Sequence, residues 1–151
     1  MNVTKFNPDY IVGITRGGLL PALMISHYIA KPMHALDVSL RDKVSGPESN
    51  AWMSSDAFEG KNILVVDDIN DSGKTLQWIK DDWMSGCHPA GCHPDEKDAW
   101  DSVWGNTAKF ATLVNNDCSE FKDVDYHHVS VNRIETPDIW VTFPWEDWWL
   151  N

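Results

Sequence analysis

Asn62-Ile63-Leu64-Val65-Val66-Asp67-Asp68-Ile69-Asn70-Asp71-Ser72-Gly73-Lys74-Thr75 decides how this chain folds. Its opening residues are a continuous apolar run, as required of a central parallel strand covered on both faces. The run ends on two carboxylates. From Thr75 to Ser85 the apolar residues Leu76, Ile79 and Trp83 recur at helical spacing, and Gly86 is a suitable stop. The stretch is therefore a strand, a loop and a helix.

A second unit of the same kind precedes it. Tyr10-Ile11-Val12-Gly13-Ile14 is a short apolar run closed by Thr15-Arg16-Gly17-Gly18, and Leu19 to Ala30 has helical spacing with Pro21 near its start. Met33 to Leu40 alternates loosely, as a strand does. Further strands are predicted at Phe110 to Val114 and at Ile139 to Phe143. Residues 41–60 are polar and aperiodic, as in a loop that closes over a site, and residues 86–106 form an irregular insert. Alternating strands and helices predict an α/β fold with a mainly parallel, twisted sheet flanked by helices. In such sheets ligands sit beyond the carboxyl ends of the strands, where both the Thr15 turn and the Asp67 loop lie.

At 151 residues and 42% hydrophobic, the chain has the size of a single domain, 1–151, with a real core. A formal net charge of -11 excludes broad nucleic-acid binding, because counterion release needs clustered Lys and Arg. Any phosphate must be held locally. No apolar run is long enough to span a bilayer, and the expectation is a soluble, cytoplasmic protein. Cys87, Cys92 and Cys118 make an odd count without a disulfide framework. Of nine tryptophans, Trp140, Trp145, Trp148 and Trp149 crowd the carboxyl terminus. They serve either as anchors to the core or a partner, or as a flat wall for a base.

Asp71 to Thr75 stands where strand gives way to helix, and unpaired N–H groups there attract an anion. Gly73 permits close approach, and Ser72 and Thr75 add hydroxyl donors. Simple capping by Asp71 or Ser72 would account for the helix start alone. Gly73-Lys74-Thr75 suggests a triphosphatase P-loop, but the glycine that motif requires farther upstream is Asp68 here. Paired acids before a phosphate cradle suit ribose hydroxyls and Mg²⁺.

An apolar strand followed by two acids and a Thr/Ser- and Gly-containing loop resembles the phosphoribosyl pyrophosphate (PRPP) motif of type I phosphoribosyltransferases. The resemblance implies that Asp67 and Asp68 contact the ribose hydroxyls, directly or through Mg²⁺. It implies that Asp71, Ser72, Gly73, Lys74 and Thr75 wrap the 5-phosphate, with Asp71 assisting proton transfer at the base. Thr15, Arg16, Gly17 and Gly18 resemble the turn that holds the departing pyrophosphate, with Arg16 as the cationic contact. A non-proline cis peptide near Thr15-Arg16 is implied as well. The segment 138–149 resembles the base site of microbial xanthine, guanine and hypoxanthine phosphoribosyltransferases. Trp140 is then the stacking residue, with Val141 supplying backbone contacts. A lysine that meets the purine 6-oxo group in those enzymes falls near Asn116 here, and an amide both donates and accepts. The polar stretch after Ser39-Leu40-Arg41-Asp42, with Lys43, corresponds to the loop that closes over PRPP. Relatives usually carry a helix before the first strand, whereas this chain reaches Tyr10 almost at once.

The resemblance thus implies an Mg²⁺-dependent purine phosphoribosyltransferase for nucleotide salvage, acting on PRPP and a 6-oxopurine as a homodimer or larger homo-oligomer. A transferase for a pyrimidine or other base, and a PRPP-binding regulator, are the alternatives. The repeated Gly-Cys-His-Pro offers Cys87, His88, Cys92 and His93 to a metal, but without zinc-finger spacing it reads first as a loop. His127-His128 reads as a polar strand end.

Overall fold

The computed structural model describes residues 3–38, 51–86 and 97–150. The Cys87, His88, Cys92 and His93 repeat and the loop around Lys43 lie outside them. Five strands, β1 (Tyr10–Ile14), β2 (Met33–Leu36), β3 (Ile63–Asn70), β4 (Ala108–Asn116) and β5 (Tyr126–Val131), pair in the order β2-β1-β3-β4-β5. Every pairing is parallel, as the alternation of strands and helices predicts.

Successive residues of β1 and β3 serve opposite faces. Tyr10, Val12, Ile14, Ile63 and Val65 pack with Leu76, Ile79 and Trp83 of α4 (Lys74–Gly86) and with Met53 and Ala57 of α3 (Ala51–Phe58). Ile11, Leu64 and Val66 meet Ala22 and Ile25 of α2 (Leu19–Ile29), with Phe6 of the one-turn α1 (Val3–Phe6). Two covered faces are why β1 and β3 read as unbroken apolar runs instead of alternating ones.

Helix α3 stands inside the segment 41–60, expected to be a loop. Its polar sequence hides a packed face: Met53 and Ala57 are buried and the Ser54 hydroxyl donates to the Trp83 carbonyl at 2.7 Å. The insert 86–106 likewise contains α5 (Lys97–Asp101), and Trp100 and Val103 join the core. Trp100, Trp104 and Phe110 stack in series, with centroids 5.7 and 5.4 Å apart.

The strand expected at Ile139 to Phe143 does not form. The fifth strand is instead β5, which contains His127 and His128, and residues 139–143 run without a ladder into α6 (Pro144–Asp147) and a 3-10 turn, Trp148–Leu150. Trp140, Trp148 and Trp149 remain exposed, so these three do not anchor the terminus to the core. Among the described residues no helix is long and apolar enough to cross a membrane.

Candidate active site

The order β2-β1-β3 makes the gap between β1 and β3 the point where the connections reverse direction, and β1 and β3 both deliver loops at their carboxyl ends there. The two loops meet closely. A Cβ built on Gly17 would lie 2.0 Å from Asp68 Oδ2, and one on Gly18 would lie 2.3 Å from the Val66 carbonyl oxygen. The Thr15 turn rests directly on the end of β3, so a side chain at position 18 would meet backbone and one at position 17 would displace the Asp68 carboxylate. The Thr15-Arg16 peptide is cis, as the resemblance implied. Thr15 also donates its hydroxyl to Asp37 Oδ1 at 2.7 Å, tying the turn to the residue that follows β2.

Beyond these strand ends lies a cavity of about 590 Å³. Thr15, Asp67, Asp68 and the whole Asp71–Thr75 loop line one side of it, while Trp140, Val141, Phe143 and Glu146 line another. Asp67 is buried, and its carboxyl is raised well above the ordinary carboxylate range by that burial and by the charge of Asp68. Asp68 is raised too, by burial first, with Glu146 adding negative charge nearby. Asp68 and Ile69 donate backbone N–H groups to the Asp67 and Asp68 carboxylates at 2.9 and 2.7 Å, which orients both.

The Asp71–Thr75 loop is braced from behind. Asn70 is almost fully buried; its amide donates to Asn115 Oδ1 at 2.8 Å and to the Phe121 carbonyl at 3.0 Å, and accepts from Ser119 Oγ at 2.9 Å. Gly73 has φ +88, and a Cβ there would strike Phe121 and Ser119 at 2.6 and 2.7 Å, so the loop turns tightly against the segment that follows β4. Ser72 Oγ accepts the Lys74 N–H at 3.4 Å, a long cap at the start of α4. The cap therefore accounts for one donor of that helix start.

Asp71 is held by two side chains from distant parts of the chain. Arg133 Nη1 donates to Asp71 Oδ2, and Asn116 Nδ2 donates to the Asp71 carbonyl and to Oδ1 at 3.2 and 3.3 Å. The Arg133 guanidinium also stands 5.7 Å from the centre of the Trp140 ring.

The model for the phosphoribosyl transferase domain matches residues 1–148. The chain belongs to that family. Among its relatives, the xanthine-guanine phosphoribosyltransferase of Cereibacter sphaeroides is 35% identical over 82 residues, covering 46% of this chain and 44% of that protein. The hypoxanthine-guanine phosphoribosyltransferase of Schizosaccharomyces pombe is 24% identical and covers 93% of this chain and 78% of that protein. The crystal structure of a purine phosphoribosyltransferase from Pyrococcus horikoshii superposes with a TM-score of 0.61 at 24% identity, covering 95% of this chain and 81% of that one. This last likeness shows the phosphoribosyltransferase fold. Family and relatives together bear out the expectation, drawn from the Asp67–Thr75 motif, of kinship with purine phosphoribosyltransferases.

Of the residues singled out from that motif and its companions, Thr15, Asp67, Asp68, Asp71 through Thr75, Trp140 and Val141 share the one cavity. Gly17 and Gly18 seat the Thr15 turn beneath it. Asn116 does not belong to the cavity wall: it is buried, and its amide serves Asp71, the Cys118 N–H and the Arg133 N–H. Its position in the phosphoribosyltransferase motif suggested a base contact; its packing makes it a brace. Arg133 and Asn70 were missed, because neither stands in a recognisable motif. Asn70, polar at the end of an apolar strand and directly before the Asp71–Thr75 loop, was the one available signal.

Proposed function

We propose that this phosphoribosyltransferase makes a nucleoside monophosphate and pyrophosphate from PRPP and a 6-oxopurine, in the service of purine salvage. The observation that carries this reading is the sharing of one cavity by the acid pair, the phosphate loop and Trp140. Relatives named for xanthine, hypoxanthine and guanine support the same base class.

In this reaction the bond from ribose C1 to the pyrophosphate oxygen breaks, and a bond from C1 to a ring nitrogen of the base forms. Ser72, Gly73 and Thr75 hold the 5-phosphate with backbone N–H groups and hydroxyls at the start of α4. Asp67 and Asp68 take the ribose hydroxyls. The Thr15–Gly18 turn receives pyrophosphate, and Arg16 offsets the negative charge that grows on it as the bond breaks. Trp140 stacks on the base, and Asp71 faces it to relay the proton released at the ring.

Asp67 and Asp68 suit Mg²⁺, a hard ion that takes one or two carboxylates and completes its shell with water and substrate phosphates. The described residues contain no group of three His, Cys, Asp or Glu placed to hold a metal without such help. When bound, the ion supplies positive charge against the pyrophosphate. Asp67, raised by burial and by the charge of Asp68, and Asp68, raised by burial and by the charge of Glu146, are also groups that gain from an added cation.

The test is to incubate the protein with Mg²⁺, PRPP and hypoxanthine, guanine, xanthine, adenine or orotate, following pyrophosphate and nucleotide. Product with the 6-oxopurines is expected. PRPP binding without product from any base would point instead to a PRPP-binding regulator, and product with orotate alone to a pyrimidine enzyme.

A further inference from the structure

We propose that Arg133 supplies the hydrogen bond that reads the ring carbonyl of the base, in place of the side chain at position 116. This inference rests on the purine transferase reading above and names the residue that sets its base specificity.

Asn116 is occupied. Its Nδ2 gives hydrogen bonds to Asp71, and its Oδ1 accepts from the backbone of Cys118 at 3.2 Å and of Arg133 at 3.3 Å. A base that recruited it would strip the support from Asp71 and from the turn after β5. An amide also presents either a donor or an acceptor by flipping, so it discriminates weakly between a carbonyl and an amino group.

Arg133 is placed differently. Asn116 pairs with Val131, and Asp117 donates to the Val131 carbonyl at 2.8 Å, so the chain leaves β5 beside the phosphate loop. Two residues on, the Arg133 backbone is fixed by Asn116 while its side chain crosses to Asp71 and lies over the Trp140 ring, 5.7 Å from its centre. The guanidinium thus stands between the residue proposed to relay the proton and the residue proposed to stack on the base. Both Arg133 and Lys74 line the cavity, but Lys74 begins α4 and belongs with the phosphate cradle.

A guanidinium has five N–H donors in a rigid fork and no acceptor. Arg133 commits one of them, to Asp71, and is partly exposed to the cavity. A carbonyl at the edge of a base stacked on Trp140 can accept from the remaining donors. An amino group at the same place would set donor against donor, and a buried polar group left unmatched is the strongest device for rejecting an analogue. Arg133 therefore selects oxo bases over amino bases, and its bond to Asp71 keeps the donor fork in register with the proton relay.

The experiment compares wild type, Arg133→Gln, Arg133→Lys and Asn116→Ala. Binding of hypoxanthine and adenine in the presence of Mg²⁺ and pyrophosphate is read by tryptophan fluorescence, and steady-state turnover is measured with PRPP. In Arg133→Gln the preference for hypoxanthine over adenine should fall about 100-fold, with the KM for PRPP changed less than about twofold. Arg133→Lys, which keeps a cationic donor without the fork, should restore part of the preference. Thermal melts establish that each variant is folded. Undiminished preference in folded Arg133→Gln, or its loss in folded Asn116→Ala alone, overturns the role of Arg133 and leaves the transferase reading standing. A wild type that neither binds nor converts any base overturns the transferase reading itself, and the base-reading role with it.

Discussion

Replacing Gly17 by alanine puts a methyl carbon 2.0 Å from Asp68 Oδ2 and 2.4 Å from its Cγ, well inside the 3.4 Å at which ordinary contact begins. Something must move by more than about 1 Å, and the obstacle is a carboxylate that can swing. The fold should tolerate this, at a cost of about 1 kcal/mol or less, because rotation of one side chain relieves the overlap. Activity should not. Displacement of a positioning group by about 1 Å costs on the order of 100-fold in rate, so kcat/KM for PRPP should fall by about that factor. Gly18→Ala provides the contrast. Its Cβ would meet the Val66 carbonyl oxygen at 2.3 Å and Asp67 Cα at 2.9 Å, which are backbone atoms of β3 with no rotamer to escape into. That strain falls on the β1–β3 seam and should cost about 2–3 kcal/mol, lowering Tm by about 5–10 °C. Calorimetric melts and pyrophosphate release with PRPP varied measure the two quantities. If Gly17→Ala keeps kcat/KM within about threefold of wild type, the contact between the turn and Asp68 has no part in catalysis.

Asn70→Ala removes three side-chain hydrogen bonds, taking the Asn70 donor from the Phe121 carbonyl and leaving the Ser119 hydroxyl with only the Phe121 N–H that it accepts. Urea unfolding should show a loss of about 2–4 kcal/mol, and a loss below about 1 kcal/mol would mean the loop is braced elsewhere. Stability should also depend on pH through the acid pair. The folded protein holds protons on Asp67 and Asp68 that the unfolded chain releases near 3.8, the ordinary aspartate value, so their contribution is full below that pH and is lost as pH rises through the raised folded values. Asp67→Asn should flatten this slope in urea midpoints taken across the mildly acidic range, and an unchanged slope would assign it to another group, of which Asp125, raised by burial, is the first candidate. Because a divalent cation favours the ionised pair, Mg²⁺ and PRPP should bind more tightly as pH rises through the same window, with proton release seen by calorimetry in two buffers. Trp140, 74% exposed, contributes little to folding, so Trp140→Ala should leave Tm unchanged while raising the KM for base about 10- to 100-fold, and an unaltered KM would remove it from the base site.

The amino-acid sequence by itself determined the sheet class and one of the loops that line the cavity. Asn62 to Thr75 carries a buried strand, an acid pair, a loop and a helix start in one continuous piece, so local spacing alone defines their order; α4 starts within a residue of its expected place, while β3 runs past Val66 through the acid pair to Asn70. The Thr15 turn was legible for the same reason. What the tertiary structure decided depends on residues far apart in the chain. Arg133 reaches Asp71 across 62 residues and Asn116 reaches it across 45, and nothing local marks either pairing. Residues 139–143 have the composition of a strand, but extended backbone becomes a strand only beside a free edge, and the chain that leaves β5 turns away through Asn132–Thr136 instead. Helix α3 was hidden by polar residues because only Met53, Ser54 and Ala57 enter the core, and which face of a short helix is buried is settled by its neighbours. Asn116 drew notice as a departure from a family pattern, while only the folded chain brings its side chain onto Asp71, Cys118 and Arg133.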